Sequence, residues 1–194
     1  MKKIFYVAFM VLASISCVSQ DTKSYIKVRQ AESNYPVVIR KSKENGRIWA
    51  IDIPYVFYVS KKTLEKIDLR DFETLRSLNS DIPTTSLMYI KRNKNLIYPK
   101  GNDKIRILRF KELECVIYVQ YFKLSEKQDI QNWFSHDLEN MRIENKDTLH
   151  IGSIQQLKLT IPDIVKYISR EDSIKILFYY KNSYHNIETP LELK

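Results

Sequence analysis

The sequence predicts an α+β fold: a mostly antiparallel sheet with two or three helices, in a single globular domain over residues 25–194. Three observations predict it. Residues 48–59 alternate with a period of two, Trp49, Ile51, Ile53, Tyr55, Phe57 and Val59 on one face, as a strand does. Residues 125–143 place Ile130, Trp133, Phe134, Leu138 and Met141 on one helical face. The remaining strand-like and helix-like segments follow one another irregularly, without the βα alternation of a parallel sheet.

In chain order, residues 25–29 and 37–40 read as short strands, and Glu44-Asn45-Gly46-Arg47 supplies a turn into the long strand. Pro54 inside that strand marks an edge or a bulge, because proline has no N–H to donate to a ladder. Ser60 stands as a helix cap before Leu64, Ile67, Phe72, Leu75 and Leu78, so a helix or a helix pair is expected there. Strands follow at 87–92, 104–110 and 113–122, the last turning Cys115 inward as a small core residue. In the 125–143 helix, Glu126 and Asp129 occupy the first turn, where the helix dipole favours acids. A strand at 153–160, a short helix at 161–170 with Pro162 in its first turn, and a strand at 173–181 complete the reading.

Composition bounds the chemistry. Hydrophobic residues make up 44% of the chain, enough for a packed core and too many for disorder. The three glycines, Gly46, Gly101 and Gly152, lie far apart, so neither a dinucleotide fingerprint nor a P-loop can be written. His136, His150 and His185 show no helical zinc pairing, and one mature cysteine cannot build a thiolate cage. No metal and no cofactor is expected.

At the N-terminus, Lys2 and Lys3 precede an uncharged apolar run from Ile4 to Ile15, the plan of an export signal. The run is shorter than the roughly 20 residues a spanning helix needs. Ala13-Ser14-Ile15-Ser16-Cys17 resembles the lipobox of bacterial lipoproteins, with small Ser16 before the cysteine. Ser14 departs from the aliphatic residue usual at its position. The resemblance implies a signal peptide over 1–16, a lipid on Cys17 and a polar tether over 17–24. Ordinary cleavage after Ser19, leaving Gln20 first, is the competing reading. Either cut leaves Cys115 without a partner for an intramolecular disulfide. The expected location is the periplasm or the outer membrane as a lipoprotein, with secretion as the alternative.

Candidate catalytic residues are sparse. His136 shares a helix face with Asn132, Glu139 and Asn140, yet periodicity alone puts polar groups opposite Trp133 and Phe134. Asp52 interrupts the most apolar strand, and alternation turns it to the face opposite Ile51, Ile53 and Tyr55, an exposed one. Glu112 and Glu114 share a strand face, at a spacing compatible with paired carboxylates but also common on solvated sheets. Gly152-Ser153 lacks the second glycine of a nucleophile elbow. No catalytic set emerges.

Charge is the uneven feature. The formal net charge is +9; loss of residues 1–16 removes Lys2 and Lys3 and no acid, leaving +7. All of that excess falls between Lys91 and Lys111, where Lys91, Arg92, Lys94, Lys100, Lys104, Arg106, Arg109 and Lys111 face the single acid Asp103. Such a patch attracts anions within about 10 Å in ordinary salt. Beside a membrane it suits phospholipid headgroups or an acidic envelope component. A plainer explanation is a hairpin near Pro99-Lys100-Gly101-Asn102 showing its charges to solvent to blunt a sheet edge. Tyr89, Tyr98 and Phe110 interleave with the patch as in single-strand nucleic-acid sites, but export argues against a nucleic-acid partner. The expected function is a non-catalytic, lipid-anchored binding or assembly protein of the envelope. The alternatives are an inhibitor or immunity-type protein binding an acidic target, and an exported hydrolase.

Overall fold

The computed structural model describes residues 25–75, 83–99, 103–109, 111–168 and 172–193. Residues 1–24, which carry the expected export signal, Cys17 and tether, and Lys100 lie outside the described residues. Among the described residues, eleven strands form two sheets, joined by four short helices where two or three were expected. None of these helices is long and apolar enough to cross a membrane.

The larger sheet is built on β3 (Ile48–Lys61), which is buried on both faces along most of its length. One side of β3 pairs with β8 (Leu113–Phe122) from Ala50↔Phe122 to Val59↔Leu113. The other side is shared by two strands: β2 (Val38–Lys41) takes residues 48–52 and β1 (Ile26–Ala31) takes 56–61. Pro54 falls in the gap between them, where β3 changes partners. It therefore marks neither the edge of the sheet nor a bulge, and a residue without an N–H costs least at this point. β5 (Thr84–Arg92), β6 (Asn95–Ile97) and β9 (Thr148–His150) complete the sheet in the order β6-β5-β8-β3-β2-β9.

The second sheet runs β11-β10-β4-β7, with β4 (Ile67–Leu75), β7 (Ile105–Arg106), β10 (Ser173–Tyr180) and β11 (Ser183–Pro190). Here the expected helix after Ser60 is overturned. Residues 62–66 form a turn, and β4 points Ile67 and Leu69 inward with strand spacing. A register shift opposite Leu177 and Phe178 then moves the phase, so that Phe72 also faces in. Positions 67, 69 and 72 are a strand with a bulge, whose mixed spacing imitates a helix. β11, beyond the expected strand at 173–181, joins β10 through a Lys181-Asn182 turn with both residues at positive φ.

The 125–143 helix is real but broken at Phe134, giving α1 (Gln128–Trp133) and α2 (Ser135–Ile143). Its apolar stripe is kept, since Ile130, Phe134 and Met141 are all fully buried. Residues 153–160, expected as a strand, form helix α3 (Ile154–Thr160). The Ser153 hydroxyl accepts from the Gln156 N–H while the Gln156 side chain accepts from the Ser153 N–H, a capping box that Ser-x-x-Gln announces. α4 (Pro162–Ile168) follows as expected.

Both the second sheet and the helices contribute to one core on the face of β3 lined by Ile51, Ile53, Tyr55, Phe57 and Val59. Phe57 of β3 meets Phe72 of β4 with ring centroids 6.3 Å apart. Each aliphatic or aromatic side chain buried here contributes about 1.5–3 kcal/mol. The helix pair is fastened to the start of β3 by Gln131, whose buried amide accepts from the Ile48 N–H and donates to the Ile48 and Leu124 carbonyls. Cys115 is fully buried, as expected, and burial pushes its thiol pKa up to about 12.

Tyr55 and Tyr121 are hydrogen-bonded to each other in this core, and burial raises both phenols above the ordinary value of 10. A raised folded-state pKa contributes stability that is complete below the unfolded value and is lost as pH rises through the folded one. Urea unfolding is therefore expected to become easier above pH 10, and Tyr55→Phe to reduce that dependence. An unchanged pH dependence in Tyr55→Phe would contradict the assignment.

Candidate functional site

The candidate catalytic residues are separated. On the outer face of the large sheet, Asp52 is only 2% exposed, which corrects the expectation of a solvated position. Arg40 of β2 closes over it with a 2.7 Å ion pair, and the Gln120 amide of β8 donates to its other oxygen at 2.8 Å. Alternation assigned the face correctly; what it could not supply was Arg40 and Gln120 arriving from neighbouring strands. Glu114 lies on the same face six positions along the ladder, opposite Tyr58, or about 20 Å from Asp52 at strand rise. Glu114 accepts from Lys91 at 3.0 Å and from the Tyr35 hydroxyl at 3.0 Å, while Glu112 pairs with Arg29 at 3.3 Å. His136 is exposed on α2, 3.3 Å from Asn140, and Glu139 is taken by Arg142. These groups make ion pairs and surface contacts, and share no pocket among the described residues. Among those residues, too, no group of three or more His, Cys, Asp or Glu side chains is placed to hold a metal ion.

The basic residues behave differently. Strand register brings the end of β3, the start of β4, the start of β8, the end of β5 and the β10–β11 turn to one end of the molecule. Arg92 ends β5, and the β5–β6 hairpin turns at Asn93-Lys94 with Asn93 at φ 58°. This hairpin shows basic residues, while residues 100–102, where a hairpin was expected, lie outside the described residues. Arg106 lies in β7 beside Asp68, Arg109 bridges to Lys61, and Lys111 is exposed just before β8. Of the eight expected patch residues, Arg92, Lys94, Arg106, Arg109 and Lys111 gather at this end. Lys91 is turned to the outer face by Glu114, and Lys104 lines a smaller cleft of about 230 Å³ with Arg92.

Sequence order hid the rest of the cluster. Lys61, Lys62 and Lys66 come from the β3–β4 turn and Lys181 from the β10–β11 turn, far from residues 91–111 in the chain. Among the described residues this end includes the basic side chains of Lys27, Lys61, Lys62, Lys66, Arg92, Lys94, Arg106, Arg109, Lys111 and Lys181, with the acids Glu65, Asp68, Asp103 and Glu112 among them. The opposite end, formed by residues 42–47, 123–129 and 144–147, carries five of each: Lys43, Arg47, Lys123, Lys127 and Lys146 against Glu44, Glu126, Asp129, Glu144 and Asp147. The molecule is electrically polar along β3.

The basic end is crowded enough to perturb its own members. Lys61 is 7% exposed, and its ammonium donates to the Glu65 carbonyl. Burial first, and then repulsion from Arg106, lower its pKa, while Asp68 opposes the shift. Asp68 is buried between Lys66 at 3.7 Å and Arg106 at 3.8 Å, and one of its oxygens has no hydrogen-bond partner. Arg92, Arg106 and Lys111 also line a groove of about 530 Å³ whose wall includes Leu108, 53% exposed, and Glu112. A cationic surface with an apolar element inside it can hold an anionic, partly apolar partner.

Arg40→Ala is expected to destabilise the fold by about 3 kcal/mol, because it strips the buried Asp52 carboxylate of its charge partner. Glu112→Gln, breaking a half-exposed pair, should cost less than about 1 kcal/mol. Urea denaturation of the two variants separates a structural ion pair from a surface one. No protein-family model matches the chain, and no curated protein is similar to it in sequence.

Proposed function

We propose that the chain is an exported binding or assembly module of the cell envelope, held at a membrane by a lipid on Cys17 and acting without catalysis. The observation that carries this reading is the coincidence of the basic end with the start of the described chain. The Tyr25 carbonyl accepts from the Lys62 N–H at 2.9 Å, and Ile26 pairs with Lys61. A tether from Cys17 therefore joins the domain beside its cationic cluster. The dispersion of Asp52, Glu112, Glu114 and His136 into separate contacts supports a binding role over hydrolysis.

A second reading, an inhibitor or immunity-type protein that binds an acidic target, is favoured by the groove of about 530 Å³ between Arg92, Arg106 and Lys111. It uses the same surface and differs in what covers it.

The test is the intact mass of the protein produced from its full precursor in a bacterial host. A thioether-linked lipid on Cys17 as the first residue is expected, with the protein in the membrane fraction. An unmodified chain beginning at Gln20 would replace the anchored reading by secretion, and an uncleaved Met1 would overturn export.

A further inference from the structure

We propose, on the reading that Cys17 carries the anchor, that the basic end of the domain is a docking face for an anionic phospholipid bilayer, with Leu64 and Leu108 entering the headgroup layer. Leu64 is 78% exposed at the tip of the β3–β4 turn, between Lys62 and Lys66. Leu108 is 53% exposed next to Arg109, which bridges to Lys61 at the base of that turn. The backbone holds the two loops side by side, the Ile107 N–H donating to the Ile67 carbonyl at 3.1 Å. Two projecting leucines ringed by long basic side chains match an interface of apolar chains under phosphate, where lysine stems lie along hydrocarbon and their ammonium groups reach outward.

The length of the tether selects a bilayer over an acidic protein. Seven residues lie between Cys17 and Tyr25, and the eight Cα–Cα steps between those two span about 28 Å at most when fully extended. The Tyr25 end is thus held close to the membrane, whereas β3 carries the neutral end about 45 Å away at strand rise. Charge attraction fades over about 10 Å in ordinary salt, so it acts on the end that the tether keeps near. Leu64 projects from the β3–β4 turn and Leu108 stands at the wall of the neighbouring groove, so that both present apolar surface on the basic end.

The test uses the full chain processed and purified with its anchor, then placed in phosphatidylglycerol–phosphatidylethanolamine vesicles containing a spin-labelled lipid. Leu64→Cys and, at the neutral end, Glu44→Cys carry a fluorescent label; Cys115 is fully buried and escapes labelling. The label at 64 is expected to be quenched several-fold more strongly than that at 44, and to lose most of this quenching in phosphatidylcholine vesicles. Combining Lys62→Glu, Lys94→Glu and Lys111→Glu, all exposed positions, should have the same effect with an unchanged circular dichroism spectrum. Equal quenching at 44 and 64, or quenching at 64 that is insensitive to both lipid charge and the triple change, would overturn the proposal. Intact mass on the same samples reports the lipid on Cys17 independently, so failure of docking is distinguishable from failure of anchoring.

Discussion

The structure depends on burying β3 on both faces while pairing it along both edges for most of its length. A fourteen-residue strand of this composition would be an aggregation hazard at an edge. It is placed in the middle: β8 covers one side, and the other is divided between β2 and β1. Pro54 sits where that second side changes hands. The division also sets the course of the chain, because β1 and β2 must approach the two halves of β3 separately.

Covering the two faces of β3 takes different chemistry. The inner face receives the second sheet and the helices, and Gln131 ties the helix pair to its first residue through three buried hydrogen bonds. The outer face is covered by side chains: Arg40 and Gln120 on Asp52, with half-buried Tyr58 and Tyr118 further along. A carboxylate can remain inside such a face only with its charge and its lone pairs both answered. Asp52 is answered in this way by Arg40 and Gln120, and Glu114 by Lys91 and Tyr35.

The charge distribution follows from the same topology. Strands that run antiparallel deliver their turns to the two ends of the sheet, and the turns at one end are those rich in lysine and arginine. Some of this charge protects exposed sheet edges, as a plain reading of residues 91–111 would have it. Edge protection alone does not account for Lys61, held nearly buried beside Arg106, or for leucines projecting among the lysines.

The sequence by itself determined the elements whose signal is local. The alternation of 48–59 and 113–122, the inward Cys115 and the apolar stripe from Ile130 to Met141 were legible because each is a periodicity within one segment. The capping box at Ser153 is equally local, although residues 153–160 were expected as a strand. β4 was misread because a bulge breaks its period, and a bulge is defined only by the partner strand β10. The charge excess at 91–111 was visible as composition, and its inclusion of Lys62, Lys66 and Lys181 was not. Tertiary structure alone decided which turns share an end, that Asp52 is buried under Arg40, and that Lys91 belongs to Glu114. The physical reason is that burial and charge clustering depend on strand register, which couples residues far apart in the chain, whereas periodicity reports only which way a side chain points from its own backbone.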